Sequence, residues 1–186
     1  MQRPLLALLI GCLSASGGAY GQALTPQYFL KPPDMQLPQG VAWGEFRRTI
    51  QPFENWTVIC DENLKAKQRV CNISQIVLDR TGGQVFSWSL AATRTGDPFF
   101  LLRVPATINR SKGMKVTFAS RPTAVILQYE GCDASVCMAM MPAGPVTREN
   151  IDKGSDVTVS FTMSDDTVTD IVVPLHGLKP ALTVLN

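Results

Sequence analysis

The chain of 186 residues carries 17 basic and 15 acidic side chains, one histidine and a formal net charge of +2. This balance argues against a nucleic-acid binder, which usually shows a basic stripe on its surface. The one adjacent basic pair, Arg47-Arg48, is interpreted as part of a solvated linker. The length corresponds to one domain that can build a single hydrophobic core.

The N-terminus has the parts of an export signal. A short basic region, residues 1–3, precedes an apolar run over residues 5–13 and then a stretch of small residues. A transmembrane helix needs about 20 apolar residues, and neither this run nor any later one approaches that length. The sequence therefore predicts a signal peptide over residues 1–23, cleaved after Ala23, and no membrane span in the mature chain.

The same segment has an alternative interpretation. Leu9-Ile10-Gly11-Cys12 resembles a bacterial lipobox, in which the cysteine becomes the lipid-bearing N-terminus of the mature chain. Lipidation of Cys12 would make the protein an outer-membrane lipoprotein. We favour the signal peptide, in which Cys12 is an apolar residue of a discarded segment.

Residues 24–53 form a proline-rich stretch without sustained periodicity. Because proline removes a backbone donor and restricts the residue before it, this stretch predicts an extended N-terminal arm. We favour a mobile leader, and the alternative is that the aromatic residues anchor the arm to a partner or to its own domain. The prolines are Pro26, Pro32, Pro33, Pro38 and Pro52, and the aromatic residues are Tyr28, Phe29, Trp43 and Phe46.

From Trp56 onward, apolar and polar residues alternate with the period of strands that bury one face. Turn sequences such as Thr81-Gly82-Gly83 separate the runs. This spacing predicts an all-β domain over residues 54–186, a β-sandwich or barrel-like antiparallel domain. A short C-terminal helix is expected within residues 178–185, and residues 148–153 are a second helical stretch. Expected strands cover residues 56–61, 70–78, 84–93, 99–104, 115–119, 123–129, 136–141, 157–163 and 167–174.

Four cysteines remain in the predicted mature chain: Cys60, Cys71, Cys132 and Cys137. An even number behind an export signal predicts two disulfides formed in an oxidising compartment. Four cysteines allow three connectivities, and the sequence leaves the choice open. Pairing of sequence neighbours, Cys60 with Cys71 and Cys132 with Cys137, is favoured because each bond closes a short loop, worth about 2 to 3 kcal/mol for ten residues.

The spacing of these cysteines does not favour a metal site. Structural zinc sites usually separate paired ligands by about two to four residues, whereas ten residues separate Cys60 from Cys71. The Cys-x-x-Cys spacing of redox-active thiols is also missing from the sequence. We therefore expect no metal and no cofactor.

No catalytic constellation is visible in the sequence. The single histidine, His176, is interpreted as a surface or capping residue, because triad chemistry also needs a nucleophile and an orienting acid. The Gly-x-Ser-x-Gly motif of a nucleophile elbow does not occur, and Asp165-Asp166 is interpreted as a turn. We predict that the protein is not an enzyme.

A cluster of methionines, Met138, Met140 and Met141, lies in one predicted strand. Methionine surfaces can serve adaptable partner binding. Since Met138 and Met140 share one strand face, and apolar residues of a sandwich usually fill its core, we predict that they are core residues.

Four sequence marks follow one another over residues 56–185. They are a Trp-x-Val-x-Cys opening, a second cysteine before a Gln, a Cys-x4-Cys element and a Leu-x-Gly close. Together they resemble the invasion-associated locus B (IalB) family, from which two positions depart. Val136 stands where family members often have Gly, and Leu178 where they have an aromatic residue. The marks lie in Phe53-Glu54-Asn55-Trp56-Thr57-Val58-Ile59-Cys60, Arg69-Val70-Cys71-Asn72-Ile73-Ser74-Gln75, Cys132 to Cys137 and Val173-Pro174-Leu175-His176-Gly177-Leu178-Lys179-Pro180-Ala181-Leu182.

The resemblance implies an exported, disulfide-bearing bacterial envelope protein without a known enzymatic activity, associated in some pathogens with entry into host cells. No active-site residues transfer with it, only the four cysteines. We expect a periplasmic or secreted protein-interaction module whose partner is a protein of the envelope or of a host surface. The alternatives are a structural subunit of a multiprotein envelope machine and an undetected hydrolase or ligand carrier.

Overall fold

The structure, a computed structural model, describes residues 31, 33–93, 95–121 and 123–185. The predicted signal peptide, Cys12 of the alternative lipobox, and the arm aromatics Tyr28 and Phe29 lie outside the described residues. The chain divides into two units, Met1–Gln36 and Leu37–Asn186. In the first unit, Lys31 and Asp34 form an exposed ion pair at 2.8 Å. The second unit is the β domain.

The described part of the β domain contains strands in two sheets and two short α-helices. The strands are β1 (Phe46–Phe53), β2 (Trp56–Asn63), β3 (Gln68–Leu78), β4 (Gln84–Ala92), β5 (Pro98–Pro105), β6 (Met114–Phe118), β7 (Val125–Leu127), β8 (Tyr129–Cys132), β9 (Val136–Pro142), β10 (Asp156–Thr162) and β11 (Val168–Pro174). The helices are α1 (Pro145–Lys153) and α2 (Leu178–Leu182), and short 3-10 turns cover Arg110–Lys112 and Thr183–Leu185.

The two sheets are antiparallel throughout and enclose one hydrophobic core. The larger sheet has seven strands in the order β1-β2-β3-β4-β5-β9-β8, and the smaller has four in the order β11-β10-β6-β7. This arrangement confirms the predicted all-β sandwich with a short C-terminal helix. Among the described residues, no helix has the length and apolar character needed to cross a bilayer.

An aromatic stack on the larger sheet lies at the centre of the core. Trp56, Trp88 and Phe100 come from β2, β4 and β5, and each is at most 1% exposed. The ring centroids of Trp56 and Trp88 are 5.4 Å apart, and those of Trp88 and Phe100 are 5.0 Å apart. Rings at these separations add favourable pair contacts to the apolar area that they bury. The stack therefore joins strands that are not all neighbours in the sheet.

A buried glutamine connects the two sheets through hydrogen bonds. The Trp88 indole N–H donates to Gln75 Oε1 at 2.8 Å, and Gln75 Nε2 donates to the backbone oxygen of Pro174 at 3.2 Å. Gln75 is 6% exposed. Since a buried polar group without a partner costs free energy, these bonds fix how β11 lies over the larger sheet.

Strand β1 lies inside the stretch that the sequence assigned to the extended arm. It pairs along its whole length with β2, from Phe46 opposite Asn63 to Phe53 opposite Trp56. Most of its side chains are exposed, because β1 is an edge strand whose two faces both reach solvent. The apolar alternation that reveals a half-buried strand is therefore weak here, and the sequence analysis missed β1 for this reason.

One predicted strand, residues 123–129, is divided between the two sheets. Val125–Leu127 pairs with β6 in the smaller sheet, whereas Tyr129–Cys132 pairs with β9 in the larger sheet. The chain crosses from one sheet to the other at Gln128. Burial raises the pKa of the Tyr129 phenol to about 12 at this crossing.

Both predicted helical stretches contain a helix: α2 begins at residue 178 as predicted, whereas α1 begins earlier than predicted. Helix α1 begins at Pro145, three residues earlier than predicted, and proline suits a first turn because no intrahelical donor is needed there. It ends at Gly154, whose φ of 63° is the left-handed conformation that commonly terminates helices. Helix α2 contributes the buried Leu178 and Ala181 to the core.

Replacing Leu102 by alanine should lower the free energy of unfolding by about 2 to 5 kcal/mol, because the side chain is fully buried and its loss leaves a cavity. Ile126→Ala is the matched control, since Ile126 is 61% exposed and should change stability by about 0.5 kcal/mol or less. Denaturant unfolding of the two variants measures both changes. Equal effects would contradict the core described above.

Candidate interaction surface

The single histidine lies on the surface beside a carboxylate. His176 Nδ1 contacts Glu54 Oε2, and both side chains are more than half exposed. They border a depression of about 330 Å³ that also holds the ion pair between Lys179 and Asp152 at 2.8 Å. None of the residues that line this depression is Ser, Thr or Cys. His176 is therefore a surface residue, as the sequence predicted.

The two adjacent aspartates form a turn, as the sequence predicted. Asp165 accepts a hydrogen bond from the backbone N–H of Thr167 at 3.0 Å, and this bond holds the pKa of Asp165 below its usual value. Asp166 has a φ of 67° and contacts Lys112 Nζ at 3.0 Å. Within the described ranges, no group of three His, Cys, Asp or Glu residues is arranged to hold a metal ion.

The structure bonds Cys60 to Cys71 and Cys132 to Cys137. In both pairs the cysteines lie directly opposite each other on neighbouring antiparallel strands, β2 with β3 and β8 with β9. The Cα atoms of each pair are 4.0 Å apart. These bonds are therefore cross-strand staples near the two ends of the larger sheet.

The larger sheet has an outer face, meaning the side that points away from the core. Its strand registers place apolar side chains and small polar side chains on this face, and charged groups are few. Val70 and Ile76 are 72% and 57% exposed there. The apolar members are Ile50, Ile59, Val70, Ile76, Leu101, Met138 and Met140, and the small polar members are Thr57, Asn72, Ser74, Ser87 and Ser89.

The methionine prediction is corrected by the register of β9. Cys137, Ala139 and Met141 point into the core, so the alternating residues Met138 and Met140 lie on the outer face. Met140 is 38% exposed. The prediction failed because it assigned Met138 and Met140 to the wrong face of the strand. The buried Cys137 shows which face of β9 points into the core.

Ion pairs lie at the β1 edge of the outer face and around it. Arg48 donates to both carboxylate oxygens of Asp61, at 2.6 and 2.7 Å, and this bidentate pair holds the pKa of Asp61 below its usual value. Arg47 contacts Glu62 on the opposite side of β1. The adjacent arginines therefore belong to a strand and have acidic partners, which corrects their interpretation as a solvated linker.

A short part of the predicted arm lies at the same edge. Pro38 and Val41 line a depression of about 330 Å³ together with Phe46, Asp61 and Val70. The Val41 backbone N–H donates to the Pro38 oxygen at 3.2 Å, which closes a turn. The segment before β1 thus contacts its own domain at one corner of the outer face.

Comparison with known proteins identifies the fold and the family. A family model described as "Invasion associated locus B (IalB) protein" matches residues 56–186. The chain belongs to the IalB family. The structure is similar to the crystal structure of invasion associated protein B from Bartonella henselae, with a TM-score of 0.62 and 16% sequence identity over 74% of this chain and 94% of that chain. Comparison with curated proteins finds no match.

The residues that mark the IalB family have roles in packing and hydrogen bonding in this chain. Trp56 belongs to the aromatic stack, and Gln75 bonds the two sheets together. Leu178, which departs from the expected aromatic residue, is fully buried. Val136, the other departure, lies on β9 opposite Pro105. These marks therefore serve the packing of the sandwich. Most of them do not contribute side chains to the outer face.

Gly177 allows the turn before α2 to approach the turn between β1 and β2. Its φ is 91°, and a Cβ at this position would collide with the backbone oxygen of Phe53. The side chain of Asn55 donates to the oxygen of His176 at 3.4 Å across the same contact. Glycine in the Leu-x-Gly mark is therefore required by a close backbone approach as well as by backbone conformation.

Removing the cross-strand disulfides should lower stability unequally. The chain-entropy model predicts a loss of about 2.8 kcal/mol for the bond between Cys60 and Cys71, which are 11 residues apart, and about 2.1 kcal/mol for Cys132 and Cys137, which are 5 residues apart. Double alanine variants of each pair, unfolded by denaturant, test this. A larger loss for the second pair would show that burial of Cys137, and not loop length, controls the effect.

Gly177→Ala should lower the free energy of unfolding by about 2 kcal/mol or more, because the methyl group meets the Phe53 backbone oxygen in a backbone conformation that alanine disfavours. Gly131→Ala is the control, because nothing lies within 4 Å of the added methyl position. Thermal and denaturant unfolding of both variants check the difference. A neutral Gly177→Ala would contradict the close approach.

Proposed function

We propose that this IalB-family chain is an exported protein of the bacterial envelope that acts as a non-catalytic interaction module and binds another protein through its outer face. The observation that carries the proposal is the exposed apolar surface on the larger sheet. Isolated exposed apolar residues need no explanation, but a contiguous group across several strands indicates an interaction site. On the outer face Ile50 pairs with Ile59 and Leu101 pairs with Met140, and the exposed Ile76 lies on β3 between these two pairs of strands.

The composition of this face supports a protein as its partner. Methionine and arginine are enriched in the centres of protein interfaces, whereas lysine and glutamate are depleted there. Met138, Met140 and Arg103 lie on adjacent strands, and their register neighbours are Leu101, Ser87 and Ser89. The antiparallel face also suits contact with another folded surface, because cross-strand disulfides hold the strands together near two ends of the sheet.

Export is supported by the chemistry of the chain. Disulfides form and persist in oxidising compartments, and the two bonded pairs are consistent with export to one. The apolar run and small residues at the N-terminus match an export signal cleaved after Ala23, which gives a periplasmic or secreted protein. We extend the invasion association of the Bartonella henselae protein to this chain as part of the proposal.

The proposal is tested by placing a photo-crosslinking amino acid at Ile76 in the native envelope. Ile76 lies on the outer face, whereas Val172, which is 62% exposed on the smaller sheet, is the matched control position. We expect a discrete protein adduct from position 76 and none from position 172. Absence of an adduct at position 76, or equal adducts at both positions, would contradict the proposal.

The same preparation tests export. Mass spectrometry of the mature protein should find Leu24 at its N-terminus. A lipid-modified N-terminal Cys12 would instead establish the lipobox interpretation, and an unprocessed chain would contradict export through a cleaved signal.

A further inference from the structure

We infer that Arg103 anchors the partner, which is a protein surface that presents a carboxylate within apolar surroundings. This inference rests on the proposed function, because it names the chemistry that the outer face selects. It concerns the centre of that face, where β4, β5 and β9 lie side by side. The cluster that carries it consists of Arg103, Leu101, Met138, Met140 and Ser89.

Arg103 is the charged residue at the centre of this cluster. The register places it between Ser87 on β4 and Met138 on β9, with Leu101 and Met140 in the next row on the same face. The side chain is partly buried, and its Nη1 donates to Ser89 Oγ at 3.0 Å. The small serines on β4 leave the guanidinium room to lie against the sheet, next to methionine side chains.

Arg103 differs from the other arginine of the outer face in its bonding. Arg48 binds Asp61 with two hydrogen bonds. Arg103 instead donates to the hydroxyl of Ser89, and none of the carboxylates in the described part of the chain lies within ion-pair distance of its guanidinium. A guanidinium has five donors in a planar fork that matches a carboxylate. Most of that capacity is available to a partner.

Burial by a partner makes a carboxylate necessary. When an apolar surface covers this cluster, the guanidinium loses water, and a buried charge without a counter-charge is unfavourable. A carboxylate on the partner satisfies the free donors with a bidentate pair, which also fixes orientation. Arginine is also enriched among the residues that dominate the binding energy of protein interfaces. The surrounding methionines can adapt to the partner's shape.

The charges of the face argue against two other occupants. An anionic membrane surface is recognised by clusters of about four to eight basic residues, whereas the centre of this face carries Arg103 alone among the residues that the strand registers assign to it. A second copy that docked through the same outer face would offer the carboxylate of Asp61, which Arg48 already binds, or Glu130 at the bulge of the outermost strand β8. A different acidic protein fits better.

The test uses the full chain with the crosslinking amino acid at position 76 and combines it with substitutions of Arg103. Arg103→Glu should reduce the protein adduct about tenfold or more, because the partner's carboxylate then meets a like charge. Arg103→Met keeps a long side chain without charge and should also reduce the adduct, while Arg103→Lys should keep part of it. Arg121→Glu is the control, because it makes the same charge change at an exposed turn after β6.

Denaturant unfolding of each variant establishes whether its sandwich is intact. If Arg103→Glu does not fold, the adduct of Arg103→Met tests the inference instead. Once mass spectrometry maps the adduct on the partner, reversing the nearby Asp or Glu of the partner to Arg should restore binding to Arg103→Glu. An adduct that persists in Arg103→Glu and Arg103→Met would overturn the inference and leave the proposed function standing. An adduct to lipid or to a second copy would overturn it too, and no adduct in the parent chain would overturn both.

Discussion

The aromatic stack of Trp56, Trp88 and Phe100 sets the register on which the rest of the molecule depends. Side chains alternate along a strand, so a shift by one residue would exchange the two faces of a sheet. Three large buried rings on β2, β4 and β5 make such a shift costly. Burying them fixes Ile59, Ser89 and Leu101 on the opposite side. The outer face is therefore a consequence of how the core packs.

Polar and backbone contacts then fix how the remaining elements meet this sheet. Gln75 bonds both the Trp88 indole and the Pro174 oxygen, so it connects the stack to the smaller sheet. Gly177, three residues after Pro174, lets the chain pass close to the Phe53 backbone before α2 begins. These contacts join marks of the family pattern that lie far apart in the sequence.

Much of the fold could be predicted because buried strands reveal themselves by alternation. Trp56, Val58 and Cys60 alternate with polar or half-exposed neighbours, and the structure places them in the core. Edge strand β1 could not be recognised in this way, because exposed side chains on both faces give no period. The buried face of β9 could have been predicted from the sequence. A disulfide cysteine such as Cys137 is commonly buried, and alternation along the strand then places Met138 on the outer face. The structure bonds the cysteines in the pairing of sequence neighbours that was favoured, and the strand register adds its geometric reason, because each pair lies directly opposite on neighbouring strands.

The edges of the larger sheet favour contact through its outer face over pairing by strand addition. An exposed edge strand invites another strand to pair with it, and proteins discourage this with charges, proline, bulges or short strands. β1 carries Arg47, Arg48 and Pro52, and the opposite edge, β8, is four residues long with a register shift. The apolar outer face between these edges has no such protection. This contrast supports the proposal that a partner binds the face rather than an edge, and the role proposed for Arg103 would restrict which surface can cover that face.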